Sequence, residues 1–450
     1  MISKIKIEFF TLSKLAGACI LAQLSQVLLI LIDNVMAGQH GTETLAAFGI
    51  ATQILIPVLI VSMGFFFSIN AIVANHFGSN EHEKIGNVIK TCWIISIFSG
   101  GLCILLLNNV DFLLDAFSVD AALYAGVKGY FATVSFGIIP YFFFLVLRFT
   151  CEGLLKAKYV MYCAVSAIPI KVALNSVFVY GAFGIEGAGA QGMGIATSVT
   201  WTFMLVILIG LYWFKGLFKQ VRFFDIPFAF DRKVAIEVIK VGAPIGLSMG
   251  SGVIFMSTTG MLIGGISAQA MAAHQSTYNF TFFMAMLFQG LSVATTSRVA
   301  YLNGAGLTGE LKNVIKIALG IALAIALINY SVIRFFAADI GYIYSQDEDL
   351  IARITLLLFW GAIMQVPQAL QEIASGILRG FKKTLAPTVI YMISFGVSLM
   401  LGYYAATSML MEERGYWLGL LVGYSMATLG MFVMLWLFFS KSNLGQKQPI

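Results

Sequence analysis

Twelve stretches of about 20 or more mostly apolar residues follow one another along this 450-residue chain. A helix rises ~1.5 Å per residue, so each stretch is long enough to cross the ~30 Å hydrocarbon core of a bilayer. Inside that core no water meets the backbone, and a helix is the structure that satisfies its own N–H and C=O groups. The spans run over 12–37, 46–76, 88–109, 121–147, 159–183, 188–214, 238–263, 268–300, 312–336, 350–379, 386–410 and 414–440. Composition leads the same way: 59% of the residues are hydrophobic and only 11% charged, where soluble domains carry about 25% charged residues. The expected fold class is an all-α polytopic membrane protein. No small-residue cleavage site follows the short basic N-terminus, so the first span is expected to stay as a transmembrane helix. The five cysteines form no Cys-x-x-Cys pair, which argues against disulfide or zinc frameworks.

Charge is distributed by side. Of the 27 Lys and Arg, 22 lie in the two tails or near the connections after even-numbered spans. The opposite connections hold Glu43, Asp111, Asp115, Asp120, Glu186, Asp339, Asp347, Glu348, Asp349, Glu412 and Glu413, with almost no Lys. The positive-inside rule then expects both termini in the cytoplasm, and the net charge of +6 records topology, not a nucleic-acid patch. The one long basic connection, 215–237, mixes Lys215, Lys219 and Arg222 with Phe218, Phe223 and Phe224. It reads as an interfacial stretch on anionic lipid that joins two halves.

Those halves repeat. Asn87-Val88-Ile89-Lys90 recurs as Asn313-Val314-Ile315-Lys316, and Lys14, Ala74 and Gly78 recur as Lys240, Ala300 and Gly304, all at an offset of 226. Near the fourth and tenth spans the best match, Gly153-Leu154-Leu155-Lys156 with Gly376-Ile377-Leu378-Arg379, slips to 223. Six crossings return the chain to its starting side. The halves are therefore expected to be six-helix lobes related by a pseudo-twofold along the membrane normal. The expected domains are an N-lobe over 1–214, a linker over 215–237 and a C-lobe over 238–450.

Three ionisable residues do not fit the loops. Asp33 interrupts the apolar run 28–36 of the first span, where a carboxylate costs roughly 2.5–3.5 kcal/mol even on lenient insertion scales. Lys171 lies near the middle of the fifth span, one turn from Asn175, and Glu372 lies in the tenth, near Gln368 and within reach of Arg379. Each is expected to face protein or water. Pro169 and Pro367 free backbone carbonyls close by. Gly187–Gly192 matches G-x-G-x-x-G, but no βαβ unit surrounds it. There is no phosphate-binding loop, so uphill transport would draw on an ion gradient.

The motif Asp33-Asn34-Val35-Met36-Ala37-Gly38 resembles the first-helix signature of the multidrug and toxic compound extrusion (MATE) family, nearest its bacterial norfloxacin-exporter branch. Asn175–Gly181, Gly192–Thr197, Ala273-His274-Gln275 and Leu378-Arg379-Gly380 extend the resemblance over nearly the whole chain. It implies export of organic, often cationic, compounds in exchange for H⁺ or Na⁺, by a bacterial inner-membrane protein that is no enzyme. The expected coupling site is Asp33, Asn34, Lys171, Asn175 and Thr197, with Lys171 standing where the family has a site Asn, and a secondary site is expected at Glu372 and Gln368. The chain departs from that branch where Gly252 and Gln368 stand at positions the branch fills with acids. A family proline in the first helix falls on Ala18, beside the alternative hinge Gly17, while Pro244 is kept. A buried Asp33–Lys171 pair is expected, and its fixed ammonium, standing where Na⁺ would bind, favours proton coupling. The expectation includes small organic substrates and the bilayer as partners, no nucleic acid, a monomer, and no cofactor beyond the coupling ion. Aromatics and methionines, among them Phe65–Phe67, Tyr141–Phe144 and Tyr278–Phe283, are candidates to line a substrate cavity. Two other readings stay open: a lipid-linked precursor flippase, for which Lys171 and Arg148 would hold pyrophosphate, and a receptor or scaffold that has lost transport.

Overall fold

The computed structural model describes residues 2–116 and 119–441. The first half holds α1 (Ile2–His40), α2 (Thr42–Gly78), α3 (His82–Asn108), the short α4 (Asp111–Ala116), α5 (Ala121–Gly153), α6 (Lys158–Phe178) and α7 (Gly189–Phe214). A short α8 (Leu217–Gln220) lies in the linker. The second half holds α9 (Arg232–Gly264), α10 (Ala268–Gly304), α11 (Thr308–Phe335), the short α12 (Ala337–Tyr344), α13 (Glu348–Gly380), α14 (Leu385–Thr407) and α15 (Glu413–Lys441). The twelve longer helices are each long and apolar enough to cross a membrane. The described residues contain no strand. The protein is an all-α, multi-pass membrane protein with two six-helix lobes.

Several helices outrun the apolar spans that mark them. α1 has 39 residues, a length of about 58 Å, so its ends continue beyond the hydrocarbon. Others fall short: α14 stops at Thr407, before the expected 410, and α6 stops earlier still relative to its span, at Phe178 and not 183. There the chain turns into a hairpin whose Gly181 has a φ of 87°, a left-handed conformation that glycine adopts without a Cβ clash. No hydropathy count detects that turn.

The repeat is visible in the helix starts. α2 and α10, α3 and α11, and α4 and α12 begin 226 residues apart (42/268, 82/308 and 111/337). The slip to 223 does not hold. A Cβ on Gly153 would meet Val73 and the Asn70 carbonyl, and one on Gly380 would meet Val299 and the Thr296 carbonyl. The equivalent of Gly153 is therefore Gly380, one turn beyond Gly376. The short run Gly-Leu-Leu-Lys against Gly-Ile-Leu-Arg looks alike at both offsets because small and aliphatic residues recur along these packed faces.

The chain divides into two compact units, Leu21–Ala243 and the residues up to Ile20 together with those from Pro244 onward. Both divisions fall inside helices, α1 and α9, so each unit has five whole membrane helices and parts of two more. In the first unit α5 is central, packed on α7, α2 and α3; in the second α13 plays that part, against α10, α15 and α11. Phe66, Phe131, Phe142, Phe144 and Tyr212 are fully buried in the first unit, and Phe288, Phe395 and Trp417 in the second. The aromatic candidates Phe66, Phe142 and Phe144 are thus core packing.

The linker packs more tightly than an interfacial stretch would. Leu217, Phe218 and Val221 are buried. Phe218 stacks near Tyr212 at 5.0 Å between ring centres, and Phe223 lies edge-on to Trp93 at 5.5 Å. Lys90 donates to the Ile226 carbonyl, Asn87 donates to Asp231 at 2.6 Å, and Arg222 pairs with Glu83. Of its rings, Phe224, Phe228 and Phe230 remain exposed.

Candidate functional site

A buried polar cluster forms where α1, α6 and α7 meet. Lys171 Nζ lies 3.0 Å from Asp33 Oδ2, and Asn175 Nδ2 donates to Asp33 Oδ1 at 2.8 Å. On its other side Lys171 donates to Thr197 Oγ1 at 2.6 Å, and Thr197 in turn donates to the Met193 carbonyl at 2.8 Å. Asp33 is 8% exposed, Lys171 2%, Asn175 0% and Thr197 6%. Asp33 is thus withdrawn into the protein although it lies near the end of its helix. Each charge is neutralised and hydrogen-bonded, which is the condition for burying it.

Local sequence explains the convergence. Lys171 and Asn175 stand four residues apart on α6 and so share a face. α7 comes close to α6 because Gly192 leaves no side chain between them: a Cβ there would lie 1.9 Å from the Phe178 carbonyl oxygen. A Cβ on Gly194 would likewise meet Thr133 and the Tyr130 carbonyl of α5. Within the G-x-G-x-x-G match, Gly192 thus serves packing, as does Gly187, where a Cβ would meet the Val179 and Tyr180 carbonyls. Tyr180 closes the outer edge, donating to the Met36 carbonyl at 2.7 Å.

Four of the five expected residues come together. Asn34 does not; it is exposed and donates to the Ile30 carbonyl of its own helix at 2.9 Å. The reason is helical geometry, which turns neighbouring residues about 100° apart. Tyr130, buried and interacting with both Thr197 and Asp33, joins the cluster unforeseen. Nothing in its surrounding sequence distinguishes it from core tyrosines. Asn175 Oδ1 is buried with no partner, an open acceptor inside the cluster.

Among the described residues, the second half has no matching cluster. Glu372 pairs with Arg379 at 2.9 Å, and Arg379 also donates to Ser292 at 2.6 Å. Gln368 makes only a long contact of 3.4 Å with Tyr424, and its Oε1 is buried and unpartnered. Glu372 lies within electrostatic reach of Tyr391 and Tyr424. A side chain at position 252 would first meet the Tyr391 hydroxyl, which lies 2.9 Å from a Cβ placed on Gly252.

Buried charge is also more widespread than the three residues singled out in the sequence. Arg148 is 2% exposed inside α5, not a loop cation, and pairs with Glu152 at 3.1 Å. The free edges of that pair reach Gln23 of α1 at 2.6 Å and Asn70 of α2 at 3.5 Å. Glu8 of α1 accepts two bonds from Arg298 of α10, one of them 2.9 Å long. The i,i+4 spacing of Arg148 and Glu152 is the sequence signal for this pair, but a cation near the end of the fourth span reads equally well as a loop charge.

The MatE family profile matches residues 18–177 and 244–404. Among solved structures, a mutant of the Vibrio cholerae MATE transporter VcmN superposes with a TM-score of 0.89 at 16% identity, covering 98% of this chain and 99% of that one. A multidrug resistance MATE family transporter of the MOP superfamily, solved facing outward, gives 0.84 at 19% identity, with 96% of each chain covered. A MOP superfamily transporter from Pyrococcus furiosus, described as having a binding pocket of reverse polarity that suggests a different function, gives 0.85 at 20% identity over 98% of this chain and 97% of that one. With both halves of the chain matched by its profile, the protein belongs to the MatE family of membrane transporters.

Proposed function

We propose that the protein is a secondary active exporter of organic, often cationic, compounds, driven by inward flow of protons across a bacterial plasma membrane with both termini in the cytoplasm. The observation that carries the reading is the Asp33–Lys171–Asn175–Thr197 cluster. Lys171 Nζ already holds the place beside Asp33 that a bound Na⁺ would take, at 3.0 Å, so a proton is the better-fitting ion. Protonation removes the charge that binds Asp33 to Lys171 and turns an acceptor into an O–H donor. Asn175, with its amide oxygen unpartnered, supports the next step: the amide turns over and its oxygen accepts a hydrogen bond from that O–H. Lys171 then keeps Thr197 alone, and α1 is released to repack. Alternating access follows from that repacking. Small organic substrates and bilayer lipid are the partners, and a monomer suffices.

The flippase reading needs free basic groups to hold pyrophosphate. The two candidates, Lys171 and Arg148, are each paired with a carboxylate, which weakens it. The test uses purified protein in liposomes loaded with a fluorescent organic cation. Transport driven by a pH gradient without Na⁺, and lost in Asp33→Asn, is expected. Transport that follows a Na⁺ gradient at fixed pH and ignores a pH gradient would overturn the proton assignment. No efflux of any organic cation, with uptake of a lipid-linked precursor instead, would favour the flippase.

A further inference from the structure

Where the linker ends, it leaves an apolar groove along α3. Asp231 fixes that end: its carboxylate accepts from Asn87 at 2.6 Å, and its backbone N–H donates to Thr91 Oγ1 at 3.3 Å. One residue earlier, Phe230 forms a wall of a groove of about 700 Å³ whose other walls are Ile94, Ile95, Phe98, Ser99 and Leu102. Phe98, Leu102 and Phe230 are exposed, at 75%, 59% and 53%. On the far side of Asp231, Arg232 and Lys233 open α9, both exposed and in no ion pair among the described residues. Asp231 forms no direct ion pair with either, its two oxygens accepting from Asn87 and from the Lys233 backbone N–H at 2.8 Å.

We propose that this groove is a binding site for one anionic phospholipid, with an acyl chain lying against α3 and Phe230 and the phosphate held by Arg232 and Lys233. A hydrocarbon slot capped by two unpaired cations is complementary to a lipid of that charge. A zwitterionic lipid gains the same chain contact with less from the charges, and inorganic phosphate gains nothing from the groove. The site lies wholly within the Leu21–Ala243 unit and does not depend on the transport reading.

Native mass spectrometry of the purified full chain tests it, with equal amounts of phosphatidylglycerol and phosphatidylcholine carrying the same acyl chains. Arg232 and Lys233 are expected to give the first bound lipid a phosphatidylglycerol preference of about tenfold, as two basic groups near an anionic headgroup allow. Arg232→Gln/Lys233→Gln should bring that ratio near one, while Lys312→Gln/Lys316→Gln, at two other exposed lysines, should leave it unchanged. Ser99→Trp, which fills the slot, should lower binding of both lipids, and added inorganic phosphate should displace neither. The proposal is overturned by an absent preference in the wild type, by a preference that survives in the first variant or is lost in the second, by unchanged lipid binding in Ser99→Trp, or by displacement with phosphate.

Discussion

At the scale of single residues, the buried charges Asp33, Lys171, Arg148, Glu152 and Glu8 are each paired with an opposite charge. Breaking such a pair leaves an uncompensated ion, at a cost of about 3–5 kcal/mol. Asp33→Asn and Lys171→Met are each expected to lose stability on that order, whereas the double variant should lose clearly less than the sum. A double-mutant cycle from unfolding in detergent measures this; strict additivity would mean that the 3.0 Å pair contributes no coupling. The pair was legible in the sequence because both ions interrupt long apolar runs. Arg148, Glu152 and Glu8 were not, since charges near helix ends look the same whether they reach water or turn inward. A simpler ionisation occurs outside the membrane, where the Glu81 carboxyl is held down at about 2 by hydrogen bonds from Lys84 and His76. A depressed carboxyl stabilises the folded form above its ordinary pKa of 4.5 and loses that contribution as pH falls toward 2. Because the side chain is still 38% exposed, solvent screening keeps the gain small. Lys84→Ala should raise the Glu81 pKa toward 4.5, readable by NMR of carboxyl-labelled protein.

At the scale of helices, close approach decides more than propensity does. Gly192→Ala would force a methyl against the Phe178 backbone, a contact no rotamer relieves, and should destabilise by at least about 1–3 kcal/mol. It should also separate Thr197 from Lys171 and so impair coupling. Gly101→Ala, with nothing within 4 Å of the added methyl, should change stability by less than about 1 kcal/mol. Melting temperatures of the two variants in one detergent give the comparison. Helix number, type and rough extent were legible because bilayer thickness imposes a length on each apolar run. The short α4 and α12, the early end of α6 and the one-turn register of α13 were not. Turns, short interfacial helices and matched small residues leave no imprint in hydropathy.

At the scale of the molecule, the fold is shared both with a multidrug resistance transporter and with one whose reverse-polarity pocket is described as suggesting a different function, so the architecture alone does not select a substrate. Cells expressing the chain should exclude a cationic dye, and a protonophore should abolish the exclusion; persistence would point to a different energy source. Glu372→Gln should leave the ion requirement unchanged, because Glu372 is engaged by Arg379 at 2.9 Å. Loss of proton coupling in that variant would restore a second site. A practical matter follows from Glu8, the acid that Arg298 grips from α10. Residues ahead of a first membrane span are commonly trimmed or replaced by affinity tags to improve expression. Here a cut that removes Glu8 would strand Arg298, whose side chain is only 12% exposed, without its counter-ion. Tags that retain the native N-terminal residues, or that are fused at the opposite end, should therefore give better-behaved protein than any deletion reaching Glu8.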